Sequence, residues 1–442
     1  MDTGIRGYNN IFKVPELKRR ILFTLLILAV YRLGAAIPIP GIDAVALKGF
    51  FDAQSKTLFG FLDMFSGGAL NKLSLFSMGI MPYINASIIM SLLKTVLPYL
   101  EKLSKEGEMG RKKITQITRY ATLVLGAVQS FGLTFMIMQM KSPNGVAVVP
   151  DPGLAFQLLS VLTLTTGTVL IMWMGEQITE MGIGNGISLI IFAGIVEGLP
   201  GAINNVFQLL RSEEIGLFVV LSLLVLVLGV TALVIWVETA QRRVPVQYAQ
   251  RMVGRKMYRG QSTFLPIRVD QSGVIAVIFA ISILYTPLTI AQFFPDSVWG
   301  KILMGWSRGS WIYEMVYGML IIFFCYFYNS IIFNPNDLAD NMKKWGGFIP
   351  GIRPGESTAN YIKFILERIT LGGALFVVAI AILPDYLRDW MNAPFFFGGT
   401  ALLIVVGVGL DTIGQIESHL IMRHYEGFMK KGRIQGRWFN IK

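Results

Sequence analysis

Side chains able to act as nucleophile, proton shuttle or metal ligand are scarce in this chain. The only histidines, His419 and His424, stand five apart at the start of a basic tail. On a helix that spacing turns two imidazoles to different sides and suits joint ligation of a metal poorly. The only cysteine, Cys325, lies inside an apolar run, which excludes a disulfide framework or a cysteine-based metal site. There is no P-loop pattern, no HExxH, and no carboxylate pair or Ser/His grouping at membrane depth. The GIGNG at residues 182–186 follows an acidic turn instead of a strand, so it lacks the setting of a phosphate-binding loop. No cofactor and no catalysis are expected, and any energy from nucleotide must come from a partner.

Two other patterns can do physical work. Ile80 and Ile84 are four apart and stack on one helix face, and Ile187 and Ile191 do the same. Isoleucines so placed face lipid, pack a core or line a pore, and spacing alone leaves these open. The second pattern is cationic. Residues 238–270 carry seven basic side chains between Arg242 and Arg268, a segment longer and more basic than a topology signal needs. Its length and charge suggest a docking surface for something large and anionic.

Several single positions carry expectations of their own. The stretch GFLDMFSGGALN, residues 60–71, has apolar residues at helical spacing and then paired glycines, and is too short and too polar to cross a bilayer. It is either a re-entrant segment packed inside protein or an interfacial helix on the outer surface. Asn85 is expected to hydrogen-bond between helices. Arg32 is expected to snorkel to the outer interface, and Glu197 and Glu314 to lie at interfaces near span ends.

These residues must be positioned by a membrane-embedded scaffold. Of the 442 residues 53% are hydrophobic and only 15% charged, which places the chain among polytopic membrane proteins. Ten apolar spans are expected at 21–37, 73–93, 117–138, 155–174, 187–199, 217–237, 274–293, 313–333, 369–383 and 399–416. The basic N-terminal stretch leads into the first span with no small-residue cleavage site after it, so it is not expected to be a secretory signal. About 30 of the 39 Lys and Arg fall on alternate connections or the termini, which puts both termini and those connections in the cytoplasm. One cytoplasmic turn, 175–186, breaks the pattern with Glu176 and Glu180 and no Lys or Arg. Five spans precede the 199–216 connection and five follow it, so related halves must be inverted relative to each other.

Several blocks carry a specific resemblance: GALNKLSLFSMG and GIMPYINASII in the second span, GEQITEMGIGNGISLIIFAGIVEGLP around the fifth, QRRVPVQYAQR followed by QSTFLPIRV in the long basic loop, and PGIRPGESTANYI further on. In order and spacing they resemble the SecY family, the channel subunits of the bacterial Sec protein translocon. The resemblance covers nearly the whole chain. It implies an all-α polytopic fold of ten transmembrane helices in two inverted five-helix halves around an hourglass pore. The halves would be residues 1–205 and 206–420, the second bearing cytoplasmic docking loops at about 238–270 and 334–366, followed by a basic cytoplasmic tail at 421–442.

The resemblance also implies residue roles. The pore ring would be Ile80, Ile84, Ile187, Ile191, Ile278 and Ile404. The plug, about residues 60–71, would include Phe61, Leu62, Met64, Phe65, Ser66, Gly67, Gly68, Ala69 and Leu70. A lateral gate would open between spans two and three and spans seven and eight. Arg242, Arg243, Arg251, Arg255 and Lys256 would dock the ribosome through rRNA phosphates, in competition with the motor ATPase SecA, and Arg353 would serve motor-driven translocation. Further implied partners are the SecE and SecG subunits, signal peptides and nascent chains, and membrane lipids. The implied location is the bacterial cytoplasmic (inner) membrane.

A secondary transporter with a five-plus-five inverted repeat would give the same span count. Such a protein places ionisable groups and broken helices near the midplane to bind substrate and ion. Here the midplane positions are mostly isoleucine, and a transporter has little need of two long basic cytoplasmic loops.

Overall fold

The computed structural model describes residues 14–43, 45–47, 66–140, 145–212, 216–248, 251–253, 256–258, 262–291, 297–298, 311–391 and 399–431. The first half of the chain forms α1 (Pro15–Gly34), α2 (Met81–Val96), α3 (Pro98–Lys105), α4 (Glu108–Gln139), α5 (Leu154–Met181) and α6 (Gly186–Arg211). After α7 (Leu217–Thr239) come four strands, β1 (Gln241–Tyr248), β2 (Arg251–Val253), β3 (Lys256–Tyr258) and β4 (Ser262–Arg268). Then follow α8 (Gly273–Ala291), α9 (Trp311–Ile332), α10 (Pro335–Lys344), β5 (Gly347–Phe348), α11 (Glu356–Met391) and α12 (Gly399–Lys431).

Seven of these helices are long and apolar enough to cross a membrane, and α2 with α3, bent by 99°, makes an eighth. The apolar part of α8, Gly273–Leu284, is shorter. Lys18, Arg19, Arg20 and Arg32 all fall within the 20 residues of α1, so its charge sets it apart from the other spans. With these two the helices match the ten expected spans in order. Starts follow local chemistry. Pro15, Pro82, Pro98 and Pro335 sit in first turns, where a missing N–H costs nothing. The Asn185 side chain caps α6 by accepting from the Ile187 and Ser188 N–H groups.

Several spans run well past the apolar windows, among them the third, fifth, ninth and tenth. The fifth, expected to stop at 199, continues through Pro200 to Arg211. Pro200 removes one backbone bond, but in hydrocarbon a helix remains the only way to satisfy the N–H groups around it. The ninth, α11, has 36 residues, about 54 Å at 1.5 Å per residue. Its first turns therefore reach beyond the bilayer and support the strands through Ile362 and Leu366.

Packing divides at the α6–α7 connection. In the first half α4 packs on α2 and α5, and α1 packs on α5 and α6. In the second α9 packs on α8 and α11, and α12 on α7, α8 and α11. The halves meet along two seams: α8 against α2 and α4, and α12 with α7 against α6.

The membrane body is helical throughout, but the long basic connection is a sheet. β1 pairs antiparallel with β4 from Gln241↔Arg268 to Gln247↔Ser262, and with β5 at Gln247↔Phe348 and Tyr248↔Gly347. Val244 and Val246 alternate inward while Arg243 and Pro245 face out, the two-residue period of a strand with one buried face. That face joins Ile267, Met342, Ile349, Ile362 and Leu366 in a small separate core. The two connections are thus one body seated on α10 and the start of α11.

Candidate functional site

The centre of the molecule is built from aliphatic side chains contributed by both halves. Ile80 precedes α2, Ile84 lies in it, Ile187 and Ile191 lie in α6, Ile278 in α8 and Ile404 in α12. All six belong to one continuous hydrophobic cluster. Five are buried and Ile187 is half-buried. Four segments, the start of α2 and helices α6, α8 and α12, thus contribute to one apolar cluster that spans both halves.

Directly beside this cluster lies the end of the glycine-paired stretch. Phe61, Leu62, Met64 and Phe65 fall outside the described residues. Ser66, Gly67, Ala69 and Leu70 are buried and Gly68 is half-buried, so this end of the stretch sits inside the protein and not on an outer surface. Gly67 and Gly68 have φ of +66° and +69°, a left-handed conformation that glycine adopts without strain. A Cβ at Gly67 would lie 2.9 Å from the Gly194 Cα, so the turn presses directly on the α6 backbone.

Polar groups from α1 and α6 hold this turn. The Tyr31 hydroxyl donates to the Ser66 carbonyl at 3.2 Å, and Arg32 Nη1 donates to the Gly67 carbonyl at 2.8 Å. Arg32 Nη2 is ion-paired with the Glu197 carboxylate. Arg32 is therefore tied inward to α6 and to the turn and does not snorkel to the interface. Glu197 is its counter-ion. Glu314 is also buried, in the first turn of α9, where the helix N-terminus favours a carboxylate. Asn85 is half-buried, and among the described residues it makes no hydrogen bond across helices. The acidic turn at 175–186 finds its compensation on α4: Arg119 Nε and Nη2 reach the two Glu176 carboxylate oxygens at 2.9 and 2.7 Å.

Three of the basic residues expected to dock a partner are exposed. Arg242 and Arg243 are exposed on β1, and Arg353 is exposed in the turn before α11, where its carbonyl accepts from Thr358 Oγ1 at 2.9 Å. Arg251 opens β2 and Lys256 opens β3 at the tip, while Arg255 lies outside the described residues.

The SecY family profile matches residues 74–413. The protein translocase subunit SecY of Escherichia coli (strain K12) is 48% identical over 95% of this chain and 96% of its own length.

The chain belongs to the SecY family.

It is accordingly a multi-pass membrane protein and the pore-forming subunit of a protein-conducting channel, not an enzyme. Its fold is also that of solved channels. One is a SecY protein whose plug domain is described as stabilising the closed state and maintaining a membrane seal, with a TM-score of 0.65, 18% identity, and coverage of 92% of this chain and 96% of that one. Another is Sec61 in the canine ribosome–channel complex from the endoplasmic reticulum, with a TM-score of 0.63, 17% identity and the same coverages of 92% and 96%.

Sequence reasoning passed over one further polar cluster of this SecY-family chain, between β4 and α8 in the second half. Asp270 is buried and caps α8, accepting from the Gly273 N–H at 2.7 Å and from Ser272 Oγ at 3.1 Å. The same Ser272 hydroxyl lies 3.3 Å from Cys325 Sγ on α9. Burial pushes the Asp270 carboxyl above the usual carboxylate range, opposed by those hydrogen bonds. The available signal was an Asp three residues before a helix-opening glycine, an ordinary capping pattern.

Proposed function

We propose that unfolded secretory polypeptides pass across the membrane between the two halves, residues 1–205 and 206–420, through a constriction formed by Ile80, Ile84, Ile187, Ile191, Ile278 and Ile404. The observation that supports this is that all six side chains, from both halves, belong to the one apolar cluster that also contains Ala69, next to the Gly67–Gly68 turn. A ring of branched aliphatic side chains makes a narrow, dewetted passage that resists ions when empty. It deforms around a moving chain without offering hydrogen bonds that would hold it. Residues about 60–71 act as the plug that closes the outer side. The seam of α8 against α2 and α4 is the lateral gate, through which apolar segments partition into lipid by the transfer energies that define membrane spans.

The cytoplasmic body is the docking face for the driving partner, a ribosome or the motor SecA, with Arg242, Arg243, Arg251, Arg255, Lys256 and Arg353 as its cationic contacts. The solved complex of canine Sec61 with a ribosome supports this partner class. SecE and SecG complete the channel in the bacterial inner membrane, with both termini and the basic 421–442 tail cytoplasmic.

The test is conductance of the purified channel in planar bilayers. Replacing Ile84 and Ile191 together with Gly widens the constriction and is expected to raise resting ion leak while ribosome binding is retained. Unchanged conductance in that variant overturns the ring assignment.

A further inference from the structure

We infer that Tyr31, Arg32 and Glu197 form a clasp that holds the stem of the plug closed by gripping its backbone. The inference rests on the plug reading above and adds to it the residues that retain the plug. None of the three is in the aliphatic ring or on the docking face.

The geometry has three parts. First, the two α1 side chains reach consecutive backbone carbonyls, Ser66 and Gly67, immediately after the segment 61–65. Contacts to backbone grip the stem whatever side chains the plug carries, and they fix its position more than its composition. Second, the Arg32 guanidinium uses both arms, Nη1 on the Gly67 carbonyl and Nη2 on Glu197. A planar fork can bridge a carbonyl and a carboxylate in this way, whereas an ammonium acts as a point charge. Third, Glu197 faces the stem itself, since a Cβ at Gly68 would lie 3.4 Å from its Oε2. The two left-handed glycines let the chain turn between Arg32 and α6 without displacing the carboxylate.

Further contacts brace the anchor. Tyr31 stacks on Phe76, with centroids 5.6 Å apart. Ser77 Oγ donates to the Ala69 carbonyl at 3.0 Å, and Ser66 Oγ accepts from the Leu70 N–H at 3.1 Å. Hydrogen bonds thus link Ser66 to Leu70 and Ala69 to Ser77 beside α1. The clasp residues grip the first two described residues of the proposed plug, Ser66 and Gly67. Arg32 and Glu197 are both partly exposed, at 37% and 27%, so the ion pair is screened and weak by itself. A contact of that strength holds a resting plug and releases it when a polypeptide enters. It also belongs wholly to α1 and α6, so it constrains the plug relative to the first half alone.

The experiment compares resting ion conductance of the full chain with that of Tyr31→Phe, Arg32→Gln, Glu197→Gln and the double variant Arg32→Gln with Glu197→Gln. Loss of one hydrogen bond to a charged group shifts a two-state equilibrium by roughly tenfold. Arg32→Gln and Glu197→Gln are each expected to raise time-averaged leak by about that factor, and the double variant no further than the larger single. Tyr31→Phe, which keeps the stack on Phe76, is expected to leak by a smaller factor. Melting temperature in detergent separates a merely structural role: a lowered melting temperature with unchanged leak overturns the clasp. A chain lacking residues 61–65 serves as reference. If it leaks and the substitutions do not, the clasp is wrong and the plug stands. If it does not leak either, the plug reading falls and the clasp with it.

Discussion

Docking through phosphate contacts has a quantitative signature, and the cytoplasmic sheet allows it to be worked out. Arg242 and Arg243 are exposed on β1, while the neighbouring Val244 and Val246 anchor the strand in the small core below. Replacing both arginines with Gln removes two cations without touching that core, so the change in folding stability should stay within about 0.5 kcal/mol. Each phosphate contact contributes about 0.7–0.9 to the slope of log affinity against log salt. Losing two lowers the slope by about 1.4–1.8, which between about 50 and 200 mM salt is roughly a tenfold difference in how much affinity is lost. Extending the neutralisation to Arg251, Arg255 and Lys256 lowers the slope by about 3.5–4.5 in all. The assay is ribosome binding by the purified channel across a salt series. A variant that binds more weakly by the same factor at every salt concentration would refute the reasoning, because a lost phosphate contact must flatten the salt dependence. Unaltered binding would remove the sheet from the docking face altogether.

Two further expectations concern packing and titration. Gly34→Ala places a Cβ 2.1 Å from Phe76 Cε2, an overpacking that costs about 1–3 kcal/mol; a thermal-shift measurement should show lowered stability, recovered when Phe76→Leu is added. Asp270 has a raised carboxyl pKa in the folded chain, so between about pH 4 and that raised value the folded state holds more proton than the unfolded one. Stability therefore falls as pH rises through that window, with Arg268 of β4, Asp411 of α12, Glu238 of α7 and the Cys325 thiol as the titratable groups around it. Asp270→Asn keeps an oxygen to cap α8 and should make this decline shallower in a melting-temperature series; a decline as steep as that of the parent chain refutes the assignment.

The parts of this protein legible in its sequence are those written in local periodicity. The order of the ten spans follows from apolar runs and from basic residues on alternate connections, and the helices obey it. Boundaries fail where the cause is not local. Pro200 reads as a stop, yet the chain beyond it stays helical because hydrocarbon offers no other partner for its N–H groups. The sheet in the basic connection is partly visible, since Val244 and Val246 alternate, but its third strand comes from Gly347–Phe348, about a hundred residues on, and no window contains both. The pair Arg32 and Glu197 was hidden for the same reason. Each is an isolated charge in an apolar span, and each alone reads as an interfacial residue. Opposite charges at outer depths of two spans in the same half were the available hint, and only the fold of 66–79 shows that they share a backbone turn.

The two seams between the halves are not alike in chemistry, and that difference bears on how such a channel opens. On one side α8 meets α2 through side chains of low polarity, where Ser282 Oγ and Met81 Sδ lie 4.0 Å apart and Asn85 contributes no hydrogen bond to a described residue. On the other, the loop leading into α6 is held to α12 by the Gly184 N–H donating to Gln415 Oε1 at 2.8 Å. That same loop is tied to α1, where the Ile183 N–H donates to Thr24 Oγ1 at 3.1 Å and Arg20 Nη1 to the Gly182 carbonyl at 3.3 Å. An apolar seam parts into lipid at little cost, because aliphatic side chains exchange one apolar neighbour for another. A seam fixed by hydrogen bonds loses about 0.5–1.5 kcal/mol for each bond that breaks. Separation of the proposed halves should therefore start between α2 and α8 and pivot about the α6–α12 side. Arg32, Glu197 and the Gly67 turn all lie within the first half, so such a pivot leaves their contacts unbroken. Opening the lateral gate and releasing the plug are then two separable steps, and the second needs the translocating chain itself.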